Sequence, residues 1–139
     1  MDAKELRIGN LVRRIKDSIV EYVGSINDEG IFLNANHLGT IDALYPIETL
    51  EPIPLTEEWL VRFGMRKKES YAFDLYEIYI DKVSAHGLIT PTKYSINKGC
   101  TNIFMNGNWL SRVDFVHEVQ NIIFALTGKE LELKETAKA

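Results

Sequence analysis

The 139-residue sequence predicts an α+β chain: a small β-barrel over residues 1–51, a Pro-x-Pro hinge with a short helix over 52–64, an antiparallel sheet covered by a C-terminal helix over 65–128, and a polar tail over 129–139. Three observations carry this reading. Short apolar stretches alternate with turn signals in both halves, as in antiparallel sheets. Asn106-Gly107 stands between Ile103-Phe104-Met105 and Asn108-Trp109-Leu110, the pattern of a two-residue type I′ hairpin. Apolar residues then recur at helical spacing from Asp114 to Thr127.

In the first half, Leu6 to Ile15 reads as a strand interrupted by Gly9-Asn10, a pair that suits a bulge or a tight bend, and Asp17-Ser18 ends it. A second strand, Ile19 to Ile26, sets Val20, Tyr22 and Ile26 against Glu21 and Ser25. Asn27-Asp28-Glu29-Gly30 is a turn, Ile31 to Ala35 a third strand ending at Asn36-His37-Leu38-Gly39, and Thr40 to Tyr45 a fourth before Pro46. So many short strands within 51 residues predict a barrel or a strongly bent sheet. The Gly-Asn pair followed by two apolar residues resembles the first strand of SH3-like barrels, so the expected barrel is SH3-like.

Between the halves, Pro52 and Pro54 fix φ and keep the residues before them extended. Thr56 is the expected N-cap of a helix, with Leu55 and Leu60 spaced as a hydrophobic staple and Glu57 and Glu58 complementing the positive helix end. Arg62 suits the other end, and Gly64 stops the helix. Trp59 and Phe63, four residues apart, share one face and are expected to be buried anchors.

In the second half, Arg66-Lys67-Lys68-Glu69-Ser70 reads as a charged turn. Tyr71 to Ile80 reads as a strand whose apolar parity changes near Asp74-Leu75, implying a one-residue slip. Asp81 to Gly87 is an expected loop and Leu88 to Ile96 a strand, placed at a sheet edge because Pro91 cannot donate to a ladder. Asn97-Lys98-Gly99 turns the chain into the Asn106-Gly107 hairpin. The last helix has Asp114 as expected N-cap and Gly128 at C′. Its stripe of Val116, Val119, Ile123 and Leu126 is expected to face the second sheet, leaving Glu118, Gln120 and Asn121 on the surface. After Gly128 a solvated tail is expected.

Composition bounds the function. With 45% hydrophobic and 26% charged residues, and no apolar run long enough to span a bilayer, the chain is expected to be cytoplasmic and to have no membrane partner. One cysteine, Cys100, excludes an intramolecular disulfide. A formal net charge of −4 repels phosphates on average, so a nucleic-acid role needs a local basic patch. Two clusters qualify: Arg13, Arg14 and Lys16, and Arg66, Lys67 and Lys68, with Tyr22 and Tyr71 as stacking partners.

The catalytic patterns are weaker. His117-Glu118 opens like a zinc-protease helix, but Asn121 stands where the second histidine must be. His37, His86 and His117 read as capping or surface residues and Cys100 as a half-buried small residue at a strand start. Gly99-Cys100-Thr101 lacks the glycine and lysine of a phosphate loop, and Asp74, Glu77 and Asp81 read as solvated strand charges. No catalytic residue, cofactor or metal is assigned.

Two longer blocks, Pro52-Ile53-Pro54-Leu55-Thr56-Glu57-Glu58-Trp59-Leu60 with Phe63-Gly64, and Val116-His117-Glu118-Val119-Gln120-Asn121 running into Phe124-Ala125-Leu126-Thr127-Gly128, resemble the signature blocks of a family of small uncharacterised bacterial proteins met in phage and mobile-element contexts. The Leu6-Arg7-Ile8-Gly9-Asn10 start is similar too. At Glu118 this chain has an acid where such proteins often have Gln. The resemblance implies a genomic setting and no assigned activity. The expected function is therefore a non-enzymatic protein-interaction module with a host or element protein as partner; the alternative is a nucleic-acid-binding accessory protein using the basic residues above.

Overall fold

A computed structural model of the chain describes residues 2–28, 30–34, 44–69, 74–83, 86–87, 89–97 and 102–134. It is an α+β structure with two five-stranded antiparallel sheets and one main helix near the C-terminus. Contacts divide it into two units, Met1–Pro54 with Phe115–Ile122, and Leu55–Asp114 with Ile123–Ala139.

The first unit contains β1 (Leu11–Arg14), β2 (Val20–Asn27), β3 (Gly30–Asn34), β4 (Leu44–Tyr45) and β5 (Leu50–Glu51), in the order β4-β3-β2-β1-β5. The bend expected at Gly9-Asn10 is present, with Gly9 at φ +98°, and the strand starts only after it. Leu6 to Ile8, predicted as strand before the bend, are not strand, and a 3-10 turn, Ala3–Glu5, closed by a capping box from Asp2, precedes them. A second 3-10 turn, Ile47–Thr49, carries β4 into β5, a two-residue strand too short to leave a periodic signal in the sequence. Leu6, Val12, Val23, Ile31, Leu33 and Leu50 form the core, flanked by Ile26, Tyr45 and Ile47. The predicted end of the third strand, the Asn36–Gly39 turn with His37, and most of the predicted fourth strand lie outside the described residues.

In the second unit the hinge helix is α1 (Glu57–Arg62), with Thr56 as its extended N-cap and Gly64 at φ +89° beyond its end. Trp59 and Phe63 are buried as the spacing predicts, their ring centroids 6.1 Å apart, and the Arg62 guanidinium lies 4.3 Å above the Trp59 ring. The sheet comprises β6 (Arg66–Glu69), β7 (Asp74–Val83), β8 (Ile89–Asn97), β9 (Asn102–Met105) and β10 (Asn108–Arg112), in the order β10-β9-β8-β7-β6. The predicted charged turn at Arg66-Lys67-Lys68 is thus an edge strand. Only one of its sides is paired, so it needs no apolar alternation, and its lysines suit an edge that must not recruit another strand.

Pairing of β7 with β8 runs without a shift from Leu75↔Asn97 to Val83↔Ile89, so no slip occurs within Asp74–Val83 and the loop predicted from Asp81 is strand as far as Val83. Tyr71 to Phe73 lie outside the described residues. Pro91 does not mark an edge strand, because β8 is paired on both sides. The N–H and C=O of Lys93 both bond Asn106, and residues two apart on a strand direct their backbone groups to the same side. The nitrogen of Pro91 therefore faces away from β7, on a stretch of β8 that β9 does not reach. The Asn106-Gly107 hairpin is as predicted, with φ +50° and +85° and Met105 opposite Asn108.

The last helix, α2 (Val116–Thr127), begins two residues after its predicted N-cap. Glu118 Oε1 accepts the Phe115 N–H at 3.0 Å, while Asp114 is paired with Arg112. Gly128, at φ +72°, closes it as predicted. Val116, Val119 and Ile123 are buried, but Leu126 is exposed. The contact division splits the helix that was expected to serve the second sheet alone: its first part, to Ile122, groups with the N-terminal sheet. Past Gly128, Leu131 is buried and the Lys134 N–H donates to the Arg62 carbonyl at 2.6 Å, while Lys129, Glu132 and Lys134 are exposed; 135–139, the rest of the expected tail, lie outside the described residues.

Candidate functional site

Three groups of side chains could carry a function, and the first is the N-terminal basic cluster. Arg13 Nε lies 2.6 Å from Glu51 Oε2. Arg14 is more fully engaged: Nε and Nη2 donate to Asp17 at 3.0 and 2.7 Å, and Nη1 lies 2.7 Å from Glu21 Oε1 and 2.8 Å from the Tyr45 hydroxyl. The bond to Asp17, then the carboxylates of Glu21 and Asp17, hold the Arg14 pKa above its ordinary value against partial desolvation; the same bond holds Asp17 below the usual carboxylate range. A cleft of about 350 Å³ opens here, lined by Arg14, Ile15, Lys16, Tyr45, Pro46 and Thr49 among others. With the charges of Arg13 and Arg14 neutralised by acids, only exposed Lys16 remains as cation at this place, and the cluster is a poor phosphate site.

A second group joins the sequence blocks of the resemblance to one another. Gln120 Oε1 accepts the Leu11 N–H at 2.9 Å, and its Nε2 donates to the Gly9 carbonyl at 3.2 Å. Asn121 Oδ1 accepts from Asn10 Nδ2 and Arg7 Nε, while its Nδ2 donates to the Glu5 carbonyl at 2.9 Å. The Val116 N–H bonds the Ile53 carbonyl at 2.9 Å, and Pro54 forms a β-bridge with Phe115. Gln120 and Asn121 hold the N-terminal bend on α2, and backbone bonds hold the Pro-x-Pro segment at its start, so the polar pattern of this helix has a structural cause. Gln at position 118 could accept the Phe115 N–H as Glu118 does.

Gln120 and His117, expected at the surface, are both 1% exposed; His117 stacks on Phe115 and has Nε2 3.3 Å from Glu5 Oε1. Gln120 stands four residues after Val116 and three before Ile123, so its spacing marked it as inward. Its polarity concealed that.

The third group is one face of the C-terminal sheet. Directly paired residues share a face, so the ladder Trp109↔Phe104↔Ser95↔Glu77↔Arg66 is a single row across all five strands. The neighbouring pair Tyr79↔Lys93 and, on the other flank, Arg112↔Asn102 and Leu75↔Lys68 lie on the same face. Trp109 and Tyr79 are 62% and 63% exposed, the opposite face carrying buried Tyr76, Tyr94, Ile96 and Ile103. The Trp109 indole is nevertheless oriented, its Nε1–H donating to Asn102 Oδ1 at 3.1 Å. Lys93 Nζ lies 3.6 Å from Glu77, whose side chain is 11% exposed. Beside Tyr79 is a cleft of about 290 Å³ lined by Gly64, Arg66, Glu77 and Ile78.

The sequence-assigned basic residues thus fall in different places. Arg66 and Lys68 belong to this face, Lys67 alternates to the other side of β6, and Arg13, Arg14 and Lys16 belong to the first unit. Sequence reasoning missed Trp109, Tyr79 and Lys93 as surface residues. Their signal was the period-2 parity opposite to buried Tyr76, Tyr94 and Ile96. His37, Cys100 and Tyr71 lie outside the described residues. Among the described residues no group of three or more His, Cys, Asp or Glu is placed to hold a metal ion, and no helix is long and apolar enough to cross a membrane. Comparison of the chain with family models, with curated proteins and with solved structures finds no match.

Proposed function

We propose that this chain is a non-enzymatic interaction module that engages its partner through the outer face of the C-terminal sheet. The observation that supports this most is Trp109, a large aromatic left exposed yet oriented by its bond to Asn102. An indole already oriented loses little side-chain freedom on binding, and Trp, Tyr and Arg are the side chains that dominate contact energetics. Tyr79 and Arg66 stand on the same face.

The N-terminal unit in this reading is an SH3-like barrel. Support comes from the order β4-β3-β2-β1-β5, from the 3-10 turn between β4 and β5, and from the Arg14 to Tyr45 bond. In a flat sheet β1 and β4 would stand three spacings apart, about 14 Å, and a bond between side chains rising from the sheet fits a curled sheet better than a flat one. A phage or mobile-element setting in the cytoplasm goes with the same reading and rests on the resemblance of the sequence blocks.

The test is site-specific photo-crosslinking in the native cells, with a photoreactive residue at position 109, 79 or, as a control, at exposed Val61 on α1. Adducts at 109 and 79 well above those at 61 are the expected outcome. Equal background at all three positions would remove this face as the contact surface.

A further inference from the structure

We propose that the occupant of this face is single-stranded nucleic acid, its bases stacking on Trp109 and Tyr79 and its phosphates held by Lys93, Arg66 and Lys68; this rests on the binding-module reading above. The rings come first. Trp109 lies opposite Phe104 and is pinned by Asn102, and exposed Tyr79 stands opposite Lys93, so one oriented ring and a second exposed ring are offered on one sheet face. Every base has a π-face, so such platforms accept bases without regard to sequence.

Charge points the same way. The first unit has five basic and ten acidic residues, the second eleven and ten, so the acidity that repels phosphates on average resides in the unit that lacks this face. On the face itself Arg66 and Lys68 stand on β6 at one edge and Lys93 on β8 at the centre, while Arg112 on β10 at the other edge is paired with Asp114. Two carboxylates share it. Glu77 is mostly buried beneath Lys93, and Asp81 lies at the far end opposite Pro91.

Shape separates the partner classes. The central row crosses four strand spacings, about 19 Å, room for a short run of nucleotides. Along it Trp109 and Phe104 stand together at one end, followed by buried Ser95, then Glu77 and Arg66, so the centre of the row is polar, unlike the continuous apolar centre that protein interfaces bury. The cleft beside Tyr79, with Arg66 on its wall, suits a base and its phosphate together.

The experiment is fluorescence anisotropy of the purified full chain with labelled oligo(dT), oligo(U) and a duplex control, repeated over a range of salt. Saturable binding to the single strands at about 50 mM salt is expected, with log K falling against log salt at a slope of about −2, as three phosphate contacts give. Trp109→Ala should weaken binding by about 5- to 150-fold, the value of one stacked base, and Tyr79→Ala similarly. Lys93→Glu should weaken it and flatten the slope, whereas Lys16→Glu in the other unit should leave both unchanged.

No binding by the parent chain overturns the inference, as does affinity indifferent to Trp109→Ala, Tyr79→Ala and Lys93→Glu alike. If oligonucleotides fail while position 109 crosslinks a protein, single-stranded nucleic acid is wrong and the module reading stands. If neither is captured, both fall.

Discussion

Gln120 satisfies two backbone groups of a bend more than a hundred positions earlier in the chain, the Leu11 N–H and the Gly9 carbonyl. Because it is buried, water cannot replace it. Gln120→Leu keeps the volume but orphans one donor and one acceptor, each costing about 1–3 kcal/mol, so urea denaturation should show a loss of about 2–6 kcal/mol. Asp17 gives a pH signature. Its pKa lies below the ordinary 3.8, chiefly through the bond from Arg14, so its stabilisation is complete above the unfolded value and is lost as pH falls through the folded one. Asp17→Asn should therefore melt lower than the parent at pH 7, and the two curves should converge as pH falls below the usual carboxylate range.

The Asn106-Gly107 hairpin is the most self-contained element. Gly107 sits at φ +85° with nothing within 4 Å of where a Cβ would be, so Gly107→Ala meets no clash and pays only the left-handed backbone cost of about 1–2 kcal/mol, readable as a shift in the denaturation midpoint. Asn106 is tied further, its Oδ1 accepting the Lys93 N–H and its own N–H bonding the Lys93 carbonyl. That pins the register of the two central strands beneath the proposed contact face. Both sheet edges are blunted, β6 by Arg66, Lys67 and Lys68 and β10 by the bulge between Trp109 and Ser111. Helix α1, six residues long, is too short to persist alone and depends on the burial of Trp59 and Leu60.

The two units differ in character as well as in fold. The first is acidic and organised by buried polar bonds; the second is close to neutral and leaves a ring-bearing sheet face exposed. The segment after α2 closes the second unit through Leu131 and the Lys134 to Arg62 bond, with Lys134 packed where a side chain on Gly64 would go. Truncation after Gly128 should cost at least the burial of one leucine, about 1.5–3 kcal/mol, seen as a lower Tm. An unchanged Tm would mean that this segment is not part of the second unit's core.

Local chemistry fixes whatever a few neighbouring residues decide: the Asn106-Gly107 turn, the start of α1 after extended Thr56 and its stop at Gly64, and the closure of α2 at Gly128. Each follows from backbone dihedrals that adjacent side chains permit or forbid. The α+β class and the antiparallel C-terminal sheet were legible from the same local punctuation. That Arg66–Glu69 is a strand follows from packing alone, since an edge strand takes its pairing from β7 rather than from its own pattern. Packing also puts Gln120, His117 and Leu131 inside and Trp109 and Tyr79 outside. Burial depends on partners distant in sequence, and neither residue type nor local spacing names those partners.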